Sequence, residues 1–471
     1  MNKKEKILIV GAGLCGSLLA LRMAQRGYQV EVYESRSDLR NSVISAGRSI
    51  NLSLSDRGLK ALRMAGLEKK ARALCIPMKG RLMHDAASNT FESNYSGRQG
   101  ECINSISRGN LNGLLLTEAE KYPNVNIHFN TKCLEIDIES KIARFQSFDS
   151  KEQFTVQADV IFGTDGAGSS LRKSYEKQFP AFKVSQEFLT HGYKELEIPA
   201  DKNGGHLISK EHLHIWPRGD YMLIALPNMD GSFTVTLFLS YSEGSYNFDN
   251  LITKEKIIEF FEKDFPDTLT LIPDVLKEFE NNPTGKLGTV KCYPWAYKGN
   301  TLLLGDSSHA IVPFYGQGMN ASFEDVFVFD SVLNQFEGDW TTVFSEFQKQ
   351  RKIDADAIAD LAIDNYYEMR DHVANPLFKE KRIVEMGLEK FFPTEYFSKY
   401  SLVTFNEHIG YHEAMTKGRA QDKVLLKMVE ESKFSTSPKT TKEEMTILLE
   451  KVQEETSKLL KKTDCKTILE D

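Results

Sequence analysis

Six cysteines are scattered over 471 residues (Cys15, Cys75, Cys102, Cys133, Cys292, Cys465), and no two form a Cys-x-x-Cys pair. That scatter excludes a disulfide framework and a zinc-ribbon pattern. Positive charge is not in excess: 59 Lys and Arg against 66 Asp and Glu leave a formal net charge of −7, which argues against a nucleic-acid partner. No apolar run is long enough to span a bilayer, and no signal-peptide core follows Met1, which predicts a cytoplasmic protein with no membrane partner. His212-x-His214 puts two imidazoles on one strand face, but no further ligand cluster accompanies them, so no metal is expected. Internal repeats and low-complexity tracts are absent as well.

What the chain does contain is organised around glycine turns. Residues 6–10 read as an apolar strand, Gly11-x-Gly13-x-x-Gly16 as a tight turn, 14–26 as a helix closed by Gly27, and 29–33 as a second strand ending on Glu34. Further strands are expected at 125–129 and 158–163. Between 192 and 239 the pattern turns to period-two alternation, which predicts antiparallel strands at 213–217, 221–227 and 232–239. A strand at 301–304 precedes a helical stretch over 321–367. In the charge-rich tail Met445, Leu448, Leu449, Val452, Leu459 and Leu460 keep a helical period, open to either an amphipathic packed helix or a frayed end.

The order implies an α/β protein (α+β overall). A discontinuous Rossmann-like dinucleotide domain (1–75, 101–180 and 288–350) is interrupted by a substrate domain with an antiparallel sheet (76–100 and 181–287). A helical C-terminal region (351–471) follows and closes the substrate pocket.

Gly11, Gly13 and Gly16 permit the tight turn, close backbone approach to a pyrophosphate, and close helix–strand packing. Glu34 stands where a carboxylate accepts ribose hydroxyls, and Cys15 fills a small apolar place in the loop. Asp165-Gly166-Ala167-Gly168-Ser169-Ser170-Leu171-Arg172 follows a second apolar strand and would pass alone for a Ser-capped turn. Gly305-Asp306, before Pro313-Phe314-Tyr315 and Gly316-Gln317-Gly318-Met319-Asn320, suggests a ribitol and an isoalloxazine ring. A helix start at Gly316–Asn320 would stabilise negative charge on a reduced flavin.

Those three elements, in that order, resemble the class A flavoprotein aromatic hydroxylases, the para-hydroxybenzoate hydroxylase superfamily. The resemblance implies FAD as cofactor and NADPH and O2 as co-substrates. It makes Asp306 the ribitol ligand and Asp165-Gly166 a loop touching both FAD and NADPH. It adds Leu14, Cys15, Arg36, Arg48, Leu52, Arg108, Met319 and Asn320 to the cofactor site.

A closer resemblance rests on Gly47–Ser55, Ser107-Arg108-x-x-Leu111-Asn112, His214-Ile215-Trp216-Pro217-Arg218, Ala225-Leu226-Pro227-Asn228-Met229, Phe323-Glu324-Asp325 and Asn365-Tyr366-Tyr367-Glu368-Met369-Arg370. These are similar to the kynurenine 3-monooxygenase family over about residues 5–415. By that resemblance Arg81, Tyr95 and Tyr400 hold the carboxylate of an aromatic amino acid. Asn365, Glu368 and Met369 form a helical wall, and Leu213, Met222, Ile224, Leu226 and Phe238 an apolar sheet floor. Pro313, Phe314 and Tyr315 line the reactive flavin face, with Tyr315 a departure from the residues usual there. No side chain acts as a direct acid or base. The implied reaction is hydroxylation of L-kynurenine to 3-hydroxykynurenine through a flavin C4a-hydroperoxide, in tryptophan catabolism towards pyridine nucleotides. Mitochondrial family members end in a membrane anchor where this chain is polar, so the chemistry carries over and the membrane location does not. A monomer or homodimer is expected. The residues alone leave open another aminoaryl or phenolic acid as substrate, or a flavin-binding interaction module without turnover.

Overall fold

The computed structural model of the chain describes residues 5–41, 51–368, 376–431 and 441–467. Arg48 and Met369, both expected in the site, lie outside these residues. The chain forms a mixed α/β structure around two large sheets.

In the first, six strands run in the order Ala296–Tyr297, Thr301–Leu303, Val160–Gly163, Lys6–Val10, Gln29–Tyr33, Val125–His128. All neighbours are parallel except the first pair. Lys6–Val10 and Val160–Gly163 are almost wholly buried, as strands covered on both faces must be, which explains their unbroken apolar sequence. The helix Leu14–Gln25 packs on this sheet and ends at Gly27, whose φ of +80° suits a helix terminus. The turn after Lys6–Val10, the acid after Gln29–Tyr33, the Asp-Gly loop after Val160–Gly163 and Gly305-Asp306 after Thr301–Leu303 all stand at carboxyl ends of strands, where such sheets bind ligands.

The second sheet has seven strands in the order Gly285–Tyr293, Lys183–Ile198, Phe233–Ser240, Met222–Pro227, His212–Pro217, Gly80–His84, Thr90–Asn94. Its long strand begins at Lys183 rather than near 192, and it pairs with Gly285–Tyr293, so the sheet crosses the expected 287/288 boundary. The early part of that strand is largely exposed, so no alternation marked it. Sequence patterning also missed the small antiparallel sheet of Thr131–Asp137, Ile142–Ser147 and Gln153–Gln157. The helical stretch expected over 321–367 divides into Gly318–Gln335 and Trp340–Tyr367. Gly338 turns the chain at φ +89°, and the Asp339 side chain caps the second helix by accepting from the Thr342 amide at 3.1 Å.

The C-terminal helices Pro376–Phe391, Tyr411–Glu430 and Lys442–Thr467 share one core. Met445, Leu448, Leu449 and Val452 are buried in it, each such side chain worth roughly 1.5–3 kcal/mol. The tail is therefore a packed amphipathic helix. Among the described residues no helix is long and apolar enough to cross a membrane.

Candidate active site

The cofactor side is made of backbone at strand ends. Gly11 has φ +100°, and a Cβ there would lie 2.7 Å from the Asp165 Cα, while a Cβ at Gly16 would lie 2.0 Å from the Gly11 carbonyl oxygen. Neither position has room for a side chain. Gly13 differs: nothing lies within 4 Å of its missing Cβ, and it borders a cavity of 670 Å³. The helix Leu14–Gln25 opens onto that cavity with no side-chain cap, leaving its first N–H groups for an anion.

Glu34 holds this loop. Its Oε2 accepts the Ala12 amide at 2.9 Å, and its Oε1 accepts the Arg36 amide at 2.9 Å and Arg36 Nε at 2.8 Å. Burial pushes the carboxyl up, but the bonds and charge of Arg36 outweigh it and hold Glu34 below the ordinary carboxylate range. Asn112, which sequence reasoning quoted but did not assign, clasps the same loop, donating to the Ala12 carbonyl at 3.1 Å and to Ser17 Oγ at 3.0 Å.

Asp165 Oδ2 accepts the Ser170 amide at 2.6 Å, while its Oδ1 is buried with no partner, the kind of orphan that a ligand donor satisfies. Burial raises both Asp165 and Asp306, the latter opposed by Arg108. The Asp306 side chain opens onto the cavity yet is sunk deep among protein atoms, which is why burial dominates it. Gly305-Asp306 is held from below by Asp325, whose Oδ2 accepts the Gly305 amide at 2.9 Å and faces His309 Nε2 at 2.6 Å. Its Oδ1 accepts Arg351 Nε at 2.9 Å. Burial raises Asp325, but His309 and Arg351 outweigh it and keep the carboxylate low. Its signal lay in the quoted Phe323-Glu324-Asp325.

Gly11, Gly13, Leu14, Cys15, Glu34 and Arg36 line this cavity together with Arg108, Asp165, Gly166, Asp306 and Met319. Gly16 packs behind it. Leu52, Gly316, Gly318 and Asn320 are not in its lining. The Asn320 side chain instead clasps the segment 53–55, accepting the Ser55 amide at 3.0 Å and donating to the Ser53 carbonyl at 2.8 Å. An uncapped helix start, an open Gly13 and an orphaned carboxylate oxygen together fit a dinucleotide.

The side expected to take the substrate is made of side chains. Arg81 lies on Gly80–His84 beside Leu213 of His212–Pro217. Its Cζ is 4.7 Å from the Tyr400 ring centre and 5.4 Å from that of Tyr95. Tyr400 stacks on Tyr95 at 5.7 Å and on Tyr315 at 5.6 Å. Arg81 Nε and the Tyr95 hydroxyl are buried without a hydrogen-bond partner. Burial works to lower the Arg81 pKa, yet its net direction is upward beside Tyr400, Tyr95 and Tyr315, and a guanidinium keeps its proton in any case. Burial in turn pushes Tyr95, Tyr315 and Tyr400 up, so these phenols keep their protons.

Arg81, Tyr315, Asn365, Glu368 and Tyr400 line one cavity of 440 Å³. Asn365 Nδ2 donates to the Phe314 carbonyl at 2.7 Å and so pins the Pro313–Tyr315 strap. The five apolar residues expected as its floor do not line it; Met83 and Ile215 do. Leu213, Ile224 and Leu226 pack beneath with Tyr95, and Met222 and Phe238 pack with Phe314 and Tyr315. The resemblance put these five on one face of the sheet, but their alternation suits core packing equally well and does not say which of them meet the cavity. Lys399, beside Tyr400 and ion-paired to Glu368, was missed, since a lysine in a short helix carries no pattern.

The segment from Asp306 to Met319 serves both cavities, Asp306 and Met319 bordering the first and Tyr315 the second. One segment thus joins a strand-end cavity that fits a dinucleotide to a pocket with a guanidinium lacking an ion-pair partner among the described residues, a layout that fits an FAD-dependent monooxygenase. The chain matches the FAD binding domain family over residues 4–341, and FAD is its cofactor. Its fold is that of the tetrameric form of 2-methyl-3-hydroxypyridine-5-carboxylic acid oxygenase, with TM-score 0.64 and 18% identity over 83% of this chain and 97% of that one. Among sequences, the kynurenine 3-monooxygenase of Myxococcus xanthus is 46% identical over 91% of each chain. That of Flavobacterium psychrophilum is 42% identical over 95% of this chain and 99% of its own. The chain belongs to the kynurenine 3-monooxygenase family.

Proposed function

We propose that the protein hydroxylates L-kynurenine to 3-hydroxykynurenine, consuming NADPH and O2. The observation that carries this reading is Arg81, a sunken guanidinium with an orphaned Nε and no ion-pair partner among the described residues, flanked by two phenols. An unpaired buried cation is unfavourable until a carboxylate joins it, and guanidinium binds carboxylate bidentately. The Tyr95 hydroxyl donates to the same carboxylate. With the head group so fixed, the aromatic ring extends towards Tyr315, where the strap pinned by Asn365 sets its depth. Met83 and Ile215 cover the ring and exclude water.

FAD held in the strand-end cavity and reduced by NADPH would supply the activation of O2, from which one oxygen atom enters the ring and the other leaves as water. An aminoaryl ring is electron-rich, so the side chains need only bind, orient and shield it. The phenols, kept protonated by burial, serve as donors and not as bases. The test is NADPH oxidation by the yellow holoprotein with and without L-kynurenine, with chromatography of the product. Stimulated oxidation with near-stoichiometric 3-hydroxykynurenine is expected; stimulation that yields only peroxide overturns the reading. Its setting is the cytoplasm, as a monomer or homodimer, checked by cell fractionation and light scattering.

A further inference from the structure

A chain of ionised side chains runs behind the substrate cavity. Glu368, at the end of the helix Trp340–Tyr367, accepts from Lys399, whose Nζ also meets Asp422 Oδ2 at 2.8 Å. Asp422 Oδ1 accepts Lys381 Nζ at 2.6 Å, and Lys381 reaches Glu385 Oε1 at 3.2 Å. Glu385 Oε2 faces Arg382 at 3.4 Å, and Arg382 donates to the carbonyl oxygens of Asn94 at 3.0 Å and Tyr95 at 2.7 Å. Acid and base alternate, and the charges cancel.

Every member of this chain except Asp422 borders the substrate site. Glu368 stands in its wall, Lys399 precedes Tyr400 in the helix Lys399–Thr404, and Arg382 ties down the backbone of Tyr95. Lys381, Arg382, Glu385 and Lys399 border the same cavity as Arg81. Stability does not explain the arrangement, because desolvating such pairs tends to offset their attraction, and apolar side chains would pack there as well. A satisfied charge network does restrict its members to one arrangement.

We propose that Lys399 is a positioning residue for the hydroxylation, holding Glu368 and anchoring its own helix to Asp422 so that Tyr400 stays stacked over Arg81. Through Lys381, Glu385 and Arg382 the same constraint reaches Tyr95. This role rests on the kynurenine reading above. Without Lys399 the carboxylate clamp loosens, so substrate binds less tightly and its ring is held less accurately.

The test compares FAD-loaded wild type, Lys399→Met and Lys399→Arg. Lys399→Met is expected to raise KM for L-kynurenine about tenfold, a coupling usual within one salt-bridge network, and to lower the product formed per NADPH, with flavin content unchanged. Lys399→Arg keeps the charge and restores KM to within about threefold of wild type. Wild-type KM and product yield in Lys399→Met overturn the proposal, as does a lowered melting temperature with both unchanged. If Lys399→Met gives no folded holoprotein, Asp422→Asn cuts the same anchor, and an unchanged KM there overturns the proposal equally. Wild type that forms no 3-hydroxykynurenine overturns the function itself, and this role with it.

Discussion

The two cavities of this protein are built from opposite materials. The cofactor cavity is made of backbone at the ends of adjacent strands, with glycines where a Cβ would collide and others, Gly13 among them, where a ligand has room. The proposed substrate cavity is made of side chains from a sheet edge and three helices, and ionised groups run through its wall. A site of backbone is specified by what a residue must not carry, so single substitutions there act through sterics. A site of side chains is specified by charge balance, so substitutions act through what is left unpaired.

The largest expected effect follows from the steric half of this contrast. Gly16→Ala puts a methyl against the Gly11 carbonyl and should both lower the melting temperature and abolish flavin retention. Gly13→Ala, with open space at its Cβ, should leave the apoprotein fold intact and weaken only FAD binding. Thermal melts of apoprotein beside flavin titrations separate the two, and equal melting losses would show that the loop is not divided in this way.

Next in size is Arg81→Met. KM for L-kynurenine should rise about 100-fold, as for loss of one partner in a buried charged pair. FAD affinity should not change. The melting temperature of the ligand-free protein should not fall, because the group removed is a sunken cation with no ion-pair partner among the described residues. A clear drop in melting temperature would mean that Arg81 is structural, and would erase the contrast with Gly16.

The smallest effect is electrostatic and falls on the backbone-made site. Glu34→Gln should weaken FAD about tenfold by loosening the Ala12 and Arg36 bonds. Because the folded Glu34 lies below its unfolded value, its stabilising contribution is complete above about pH 4.3 and is lost as pH falls through the folded value. The stability gap between wild type and Glu34→Gln, read from urea melts, should therefore close on acidification. A gap that widens on acidification would refute the assigned direction.

The contrast also explains what could be read from residues alone. The Gly11–Gly16 turn, Glu34, the Asp165-Gly166 loop and Gly305-Asp306 each follow an apolar strand within a few residues, so local pattern sufficed to place them. Likewise Gly27 marked a helix end, whereas the period of Leu448, Leu449 and Val452 suited a packed helix or a frayed end until the shared core decided it. The first half of Lys183–Ile198 escaped because an exposed strand carries no alternation. The five apolar floor residues came from the resemblance and not from local pattern, and none of them lines the cavity, because the residues that do are set by the helices laid over the sheet.

Amino-acid order by itself determined the nucleotide-binding strands, the glycine turn and the acids at strand ends, because these need only short-range geometry and a fixed spacing. Resemblance to relatives then pointed to Arg81, Tyr95 and Tyr400. Only the tertiary structure decided that these three stack together, that Asn365 pins the Pro313–Tyr315 strap, and that Lys399, Asp422 and Lys381 join the helices behind them. Ion pairs and ring stacks between distant segments leave no period in a sequence. They come into being only when packing brings their charges and faces within a few ångströms.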